Sequence, residues 1–406
     1  MFDVNKIRNE FPMIRNNPDL IYFDNGATTY KPDKVIDAIN DFYNNYTSNI
    51  ERGEYSTALK ADKAYASTRD TVAKMINCSP KEVAFLANVT AALNQIAYSL
   101  GRDTLKENDT VLLTYNEHAS NVLPWFRLMK DKGINIRYIP VDIEGNIVID
   151  EFIKCLDSSV KVVSIAYQTN VLGSVQPLKE IAKLTHDNNT LLVVDAAQAI
   201  GHRKVDVKDL DCDFLCFSAH KMCGPDGVGV LYGKYELLDK MEPIFLGGGM
   251  NARFDKDGNI TYKDAPEKFE AGTPNIEGVI GLKAASEYLM DIGLDNIHEY
   301  EKDLRAYFAD KLSKCDNLEI YNINNISAPL TFNVKGVFAQ DAAGYLSSKN
   351  IAVRSGNHCA KILHNLIGTD QTLRASLYLY NTKEEIDRFV EEASKISLES
   401  AIDVFI

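Results

Sequence analysis

Lys221 closes the run Asp213-Phe-Leu-Cys-Phe-Ser-Ala-His-Lys221, and its setting is that of a reactive amine. A lysine just past a buried strand, beside Ser218 and His220, is desolvated enough to act as a nucleophile. Asp195 ends a second apolar run, Leu191-Leu-Val-Val-Asp195, and brings a carboxylate to the end of a neighbouring strand. Gln198 follows three residues later, and Ser218 and His220 offer donors to an anion. An amine for a Schiff base, a carboxylate to keep a pyridinium nitrogen protonated and a cradle for a phosphate are what pyridoxal 5′-phosphate (PLP) asks of a protein. Cys359 is a second nucleophile, a thiol between His358 and Ala360 with Arg354 five residues earlier. Taken singly, Asp195 also reads as a helix cap and Cys359 as one more small inert residue.

The elements that must position these groups alternate along the chain. Val111–Thr114, Val162–Ala166, Leu191–Val194 and Phe214–Phe217 are short, apolar and rich in β-branched or aromatic residues. Helix-length segments such as Leu178–Asn189 separate them, which predicts a mainly parallel sheet with helices on both faces, an α/β fold. Polar clusters stand directly after these strands: Asn116-Glu-His118, Gln168-Thr-Asn170, Asp195 and Ser218-Ala-His-Lys221. Ligands in open α/β sheets sit beyond the carboxyl ends of the strands, so the four clusters are expected in one crevice. Arg253–Tyr262 reads as a hairpin around Asp257-Gly258. Beyond Gly278 a long helical pattern leads into mixed strands and helices, with a strand over Ala328–Asn333. A last helix, Lys383–Leu398, opens on a capping box from Thr382 to Glu385. A first helix is expected over Asp3–Glu10.

Composition narrows the function classes. The 406 residues carry a formal net charge of −13, which argues against a nucleic-acid backbone as partner. The first residues lack the apolar core of a signal peptide and no stretch reaches the length of a membrane span, so a cytoplasmic protein is expected. Seven scattered cysteines (78, 155, 212, 216, 223, 315 and 359) argue against a disulfide framework. Cys212, Cys216 and Cys223 lack the paired spacing of a zinc site, and no metal is expected. Gly247-Gly-Gly249 lacks the surroundings of a phosphate loop and reads as a turn. Trp125 reads as a packing residue at a helix start, and His186 and His202 as ordinary.

Val194-Asp-Ala-Ala-Gln198, Ser218-Ala-His-Lys221 and Cys223-Gly-Pro-Asp-Gly-Val-Gly-Val230 resemble the class V aminotransferase family of PLP enzymes. More narrowly, the chain resembles the group II, Suf-type cysteine desulfurases, from Asp3 to Thr382. Supporting motifs are Phe23-Asp-Asn-Gly-Ala27, Asn116-Glu-His118, Thr169-Asn-Val-Leu-Gly173, Phe269-Glu-Ala-Gly-Thr-Pro274, Arg354-Ser-Gly-Asn-His-Cys-Ala360 and Arg374-Ala-Ser376. The resemblance implies the PLP-dependent transferase fold type I, with a seven-stranded, mainly parallel sheet in a large domain and a smaller α+β domain. The expected divisions are an N-terminal helical segment, 1–20, packing with the small domain; a large PLP-binding domain, 21–280; and a small domain, 281–406, carrying Cys359.

The same resemblance implies roles. Lys221 is the Schiff-base lysine and proton carrier, Asp195 partners the ring nitrogen, and His118 stacks on the ring. Gln198 bonds the phenolic oxygen, with Asn170 near that oxygen and the substrate carboxylate. Thr90, Ser218 and His220 bind the phosphate, and Gly272 and Thr273 complete it from a second subunit, making a homodimer part of the site. Arg374 clamps the substrate carboxylate, a task suited to a planar guanidinium, and Arg354 joins it in the substrate set. Cys359 takes sulfur from L-cysteine as a persulfide and alanine leaves. The 15 residues from Cys359 to Arg374 imply a compact loop of the group II kind, and therefore a sulfur-acceptor protein of the SufE or SufU type. Iron–sulfur cluster assembly is the expected destination of the sulfur. Related readings are a selenocysteine lyase, a cysteine sulfinate desulfinase, another class V enzyme with Cys359 as bystander, or a non-catalytic scaffold.

Two positions depart from the family pattern. The usual Arg-Gly-Thr-Thr-Glu phosphate turn is here Ala87-Asn-Val-Thr-Ala91, with Asn88 expected to tolerate a left-handed backbone in place of glycine. Glu51, in Ser48-Asn-Ile-Glu-Arg-Gly53, stands where group II members usually place a histidine. That loop is expected to line the partner subunit's entrance.

Overall fold

A computed structural model describes residues 2–327 and 329–402. Its centre is a seven-stranded sheet in the order Val83–Leu86, Gly229–Gly233, Phe214–Ser218, Leu191–Asp195, Val160–Ala166, Thr110–Thr114, Asn135–Ile139. Neighbours run parallel except Gly229–Gly233, which is antiparallel to both of its neighbours. Successive side chains of a strand point to opposite faces, and the apolar runs serve two cores accordingly. Leu192, Val194, Leu215 and Phe217 pack beneath one face, and Val193, Phe214 and Cys216 beneath the other. This double burial is why the strands read as unbroken hydrophobic runs.

A separate core gathers Leu304, Phe308, Phe332, Phe389 and their neighbours around a four-stranded antiparallel sheet. In that sheet Thr372–Ala375 lies between Leu330–Val334 and Arg354–Gly356. Ile21 and Phe23, at the start of the expected large domain, pack in this core through a parallel pairing of Ile21–Tyr22 with Ile351–Ala352. The helix Ile276–Ile292 runs across the expected division at 280/281 and packs in the sheet-side core. The first helix is Val4–Arg8, capped by the Asp3 side chain. Phe11 beyond it is buried in the sheet-side core, while Arg8 donates to the Glu385 carboxylate at 2.7 Å.

Local expectations fare as their physics dictates. The hairpin forms from Asn251–Phe254 and Ile260–Tyr262, and Gly247–Gly249 is a bend before it. The capping box at Thr382 and Glu385 is present, but its helix stops at Ser394 and Leu398–Ile402 forms a separate short helix. The expected strand over 328–333 is Leu330–Val334; Ala328 lies outside the described residues. Trp125 is buried near the start of the helix Leu123–Lys132. No helix among the described residues is long and apolar enough to cross a membrane.

Candidate active site

The carboxyl ends of Thr110–Thr114, Val160–Ala166, Leu191–Asp195 and Phe214–Ser218 open on one cavity of about 440 Å³. It is lined by Thr90, His118, Asn170, Asp195, Gln198, Ser218, His220, Lys221, Arg354, Cys359 and Arg374. Each of these was expected from sequence. Gly272 and Thr273 are not among them: they line a second, separate cavity together with Asn49, Ile50, Glu51 and Arg52.

Lys221 follows its strand in a single helical turn, Ala219–Lys221. Burial lowers its ammonium to about 8, with Asp195 pulling the other way and Arg374 adding to the fall. Asp195 is buried and accepts from the Ala197 amide at 2.9 Å; desolvation raises its carboxyl, opposed by that bond and by Lys221. His118 is lowered to about 4 by desolvation, then by Lys221 and Arg374, so it is neutral. The Ser120 amide donates to its Nδ1, which therefore carries a lone pair and leaves the proton on Nε2. His220 is also held neutral, lowered to about 4 chiefly by burial.

The opposite wall is cationic. Arg374 is buried beside Gly26, where an added Cβ would stand 3.1 Å from the guanidinium and would press it aside. Asp24 joins the two arginines, accepting from Arg354 at 2.8 Å and from Arg374 at 3.4 Å. Gln198 donates to the Gly26 carbonyl at 2.8 Å. Cys359 is exposed and sits with His358 in the left-handed region, φ +58 and +49. Its carbonyl accepts from the Ala119 amide at 2.8 Å, fixing the thiol's loop beside His118.

Two sequence expectations need correction. Asn88 is not left-handed: its φ is −175, and its side chain accepts from the Ala91 amide as the N-cap of the helix Val89–Asp103. The turn persists because asparagine is a strong cap, and the helix N-terminus beside Thr90 and Ser218 favours an anion. His186 and His202 are not ordinary, since each meets a carboxylate, Asp213 at 3.1 Å and Glu301 at 2.8 Å. Sequence reading also missed Asp24 and the buried Glu117. Glu117 accepts from Thr114 and Asn121 at 2.6 and 2.8 Å, and desolvation pushes it up to about 7. Glu51 is ion-paired to Lys263 of the hairpin at 3.1 Å. The described residues hold no metal-ligating cluster, and Cys212, Cys216 and Cys223 are buried free thiols.

The donor set fits PLP. Amine and carboxylate face one cavity, the helix start with Thr90, Ser218 and His220 suits a phosphate, and Asn170 Oδ1 is buried without a partner among the described residues. The volume lies in the range of small-molecule pockets, about 300–1,000 Å³.

Fold and site together define a member of a large enzyme class in which a lysine after a parallel strand meets a carboxylate on its neighbour. The chain belongs to the class-V aminotransferase family, whose model matches residues 21–389. It is 41% identical over 399 residues to a probable cysteine desulfurase of Halalkalibacterium halodurans, covering 97% of this chain and 98% of that one. A probable cysteine desulfurase of Ureaplasma parvum is 42% identical over 392 residues, 96% of each chain. Among solved structures, an apo cysteine desulfurase from Thermococcus onnurineus superposes with a TM-score of 0.92 at 36% identity, over 96% and 97% of the two chains. The cysteine desulfurase CsdA of Escherichia coli, in an S-sulfonic acid form, gives 0.91 at 31% identity, over 99% of each.

Proposed function

We propose that this chain is a PLP-dependent cysteine desulfurase that converts L-cysteine to L-alanine and keeps the sulfur as a persulfide on Cys359. The observation that carries the reading is one cavity shared by an amine (Lys221), a carboxylate (Asp195), two arginines and an exposed thiol (Cys359). Lys221 would hold the cofactor, Asp195 its ring nitrogen, His118 and Gln198 its ring, and Thr90, Ser218 and His220 its phosphate. Bound there, PLP supplies an electron-poor ring able to stabilise the electron pair left when Cα loses its proton.

The chain's own groups do the rest. Arg374 and Arg354 bind the substrate carboxylate, which competes with Asp24 for both guanidiniums. Lys221, lowered to about 8, is unprotonated in a useful fraction near neutral pH and takes the Cα proton. His118 presents Nε2–H as a neutral donor. The Cys359 thiolate forms an S–S bond to the substrate sulfur as the Cβ–S bond breaks, and the carbon skeleton takes up a proton and leaves as alanine. L-Cysteine and a thiol thus give alanine and a persulfide, with atoms and electrons balanced.

The wider setting belongs to the same proposal: a cytoplasmic homodimer in which Gly272 and Thr273 complete the neighbour's phosphate site. A SufE- or SufU-type acceptor collects the sulfur for iron–sulfur cluster assembly. Cys359→Ala is the direct test. The variant should bind PLP with an unchanged absorbance spectrum yet form neither alanine nor persulfide from L-cysteine. Undiminished alanine production by it would sink the proposal.

A further inference from the structure

His358, next to Cys359, is buried, and its hydrogen bonds determine where its proton sits. His364 Nδ1 lies 3.1 Å from the Ala360 carbonyl, which only accepts, so that nitrogen carries the proton. Burial keeps His364 below its ordinary value, so it is neutral and its Nε2 bears a lone pair. That Nε2 is 3.2 Å from Thr372 Oγ1 and takes the single hydroxyl hydrogen. His358 Nε2 is 3.0 Å from the same oxygen and has no hydrogen left to accept, so it must donate. Desolvation, then Arg374 and His364, hold His358 neutral, lowering it to about 2. Its Nδ1 is therefore a bare lone pair, buried and without a partner among the described residues.

One unpartnered buried donor belongs to the same wall: Arg374 Nε. The two residues are already tied through Asn170, whose side chain donates to the His358 carbonyl at 2.7 Å and whose carbonyl accepts from Arg374 Nη1 at 3.1 Å. A buried donor and a buried acceptor left unpaired on residues that share Asn170 both cost free energy that one bond between them would recover. With its one N–H given to Thr372 from Nε2, neutral His358 can use Nδ1 only as an acceptor.

We propose that His358 is a positioning residue: its Nδ1 accepts the Nε–H of Arg374 when that guanidinium binds a carboxylate, and this contact sets the Cys359 loop against the substrate. Two backbone features make the loop sensitive to such a pull, the consecutive left-handed residues His358 and Cys359. The inference rests on the desulfurase reading above.

The side-chain lengths of asparagine and glutamine separate the two ring nitrogens. His358→Asn places an amide oxygen near the Nδ1 position and gives up the bond to Thr372. His358→Gln reaches Thr372 with its amide and gives up the Nδ1 acceptor. Holoenzyme of each is mixed with L-cysteine in a single turnover, and persulfide is read by alkylation alongside exchange of the Cα proton with solvent deuterium. Proton exchange should be unchanged in both, while persulfide formation falls about tenfold in the glutamine variant and stays within about threefold in the asparagine variant. A glutamine variant as fast as the unsubstituted enzyme, or equal losses in both, overturns the inference while leaving the parent reading intact. Failure of the unsubstituted enzyme to make alanine overturns both.

Discussion

Glu117 shows how a single residue can shape the site from behind. It sits one position before His118, fully enclosed, and its carboxylate is met by the Thr114 and Asn121 side chains and by the Ala166 backbone. Its folded-state value of about 7 lies above the ordinary 4.5, so folding favours the protonated form. Stability from this group is therefore intact at acid pH and declines as pH rises from about 4.5 to about 7, by about 3 kcal/mol in all. Glu117→Gln cannot ionise, and Thr114 can turn its hydroxyl to accept from the new amide. Urea unfolding at pH 5 and pH 8 should show a smaller loss of stability across that interval in the variant. An identical pH dependence in both proteins would refute the assignment. Glu117 and Asp24 stand inside motifs the sequence shows, but their roles were not legible, because these lie in partners that only the fold supplies. Lys221, Asp195 and Cys359 were legible because each carries its context with it, a strand end or a short motif.

At the scale of elements, the strand ends did what the apolar runs implied, and the errors fell where tertiary packing or capping overrode local pattern. Asn88 was read through its tolerance of a left-handed backbone, yet capping the helix Val89–Asp103 is the stronger use of the same side chain. The turn before Thr273 was legible as a motif, but what anchors it was not. Glu270 accepts from Arg69 at 2.8 and 3.0 Å, from Tyr65 at 2.9 Å and from the Phe85 amide at 2.8 Å. These four bonds satisfy a buried carboxylate and fasten residues 270–274 to the edge strand Val83–Leu86. Glu270→Gln removes the counterion of a nearly buried guanidinium and should cost about 3 kcal/mol. The measurement is chemical denaturation of the purified variant, and a loss below about 1 kcal/mol would show the clamp to be marginal.

At the scale of the whole molecule, the separation of the two cavities is the informative fact. Thr273 lies with Glu51 and Arg52 in a cavity of about 250 Å³, apart from the one that holds Lys221. Phe245 and Leu246 before Gly247, and Phe254 and Ile260 on the hairpin that follows, are large apolar side chains left exposed, of the kind a subunit interface covers. In a two-fold dimer each Lys221 site would then borrow the Thr273 turn of its neighbour. Lys221→Ala removes the amine, and Thr273→Asp sets a carboxylate against the phosphate; each homodimer should be inactive. Mixed and allowed to exchange subunits, the two chains form hybrids in which one site is doubly damaged and the other intact. Random pairing makes half of the dimers hybrids with one good site each, so alanine formation should recover to about one quarter of the unsubstituted level. If Thr273 served its own chain, every site in the mixture would carry one defect, and no recovery after exchange would reject the shared site.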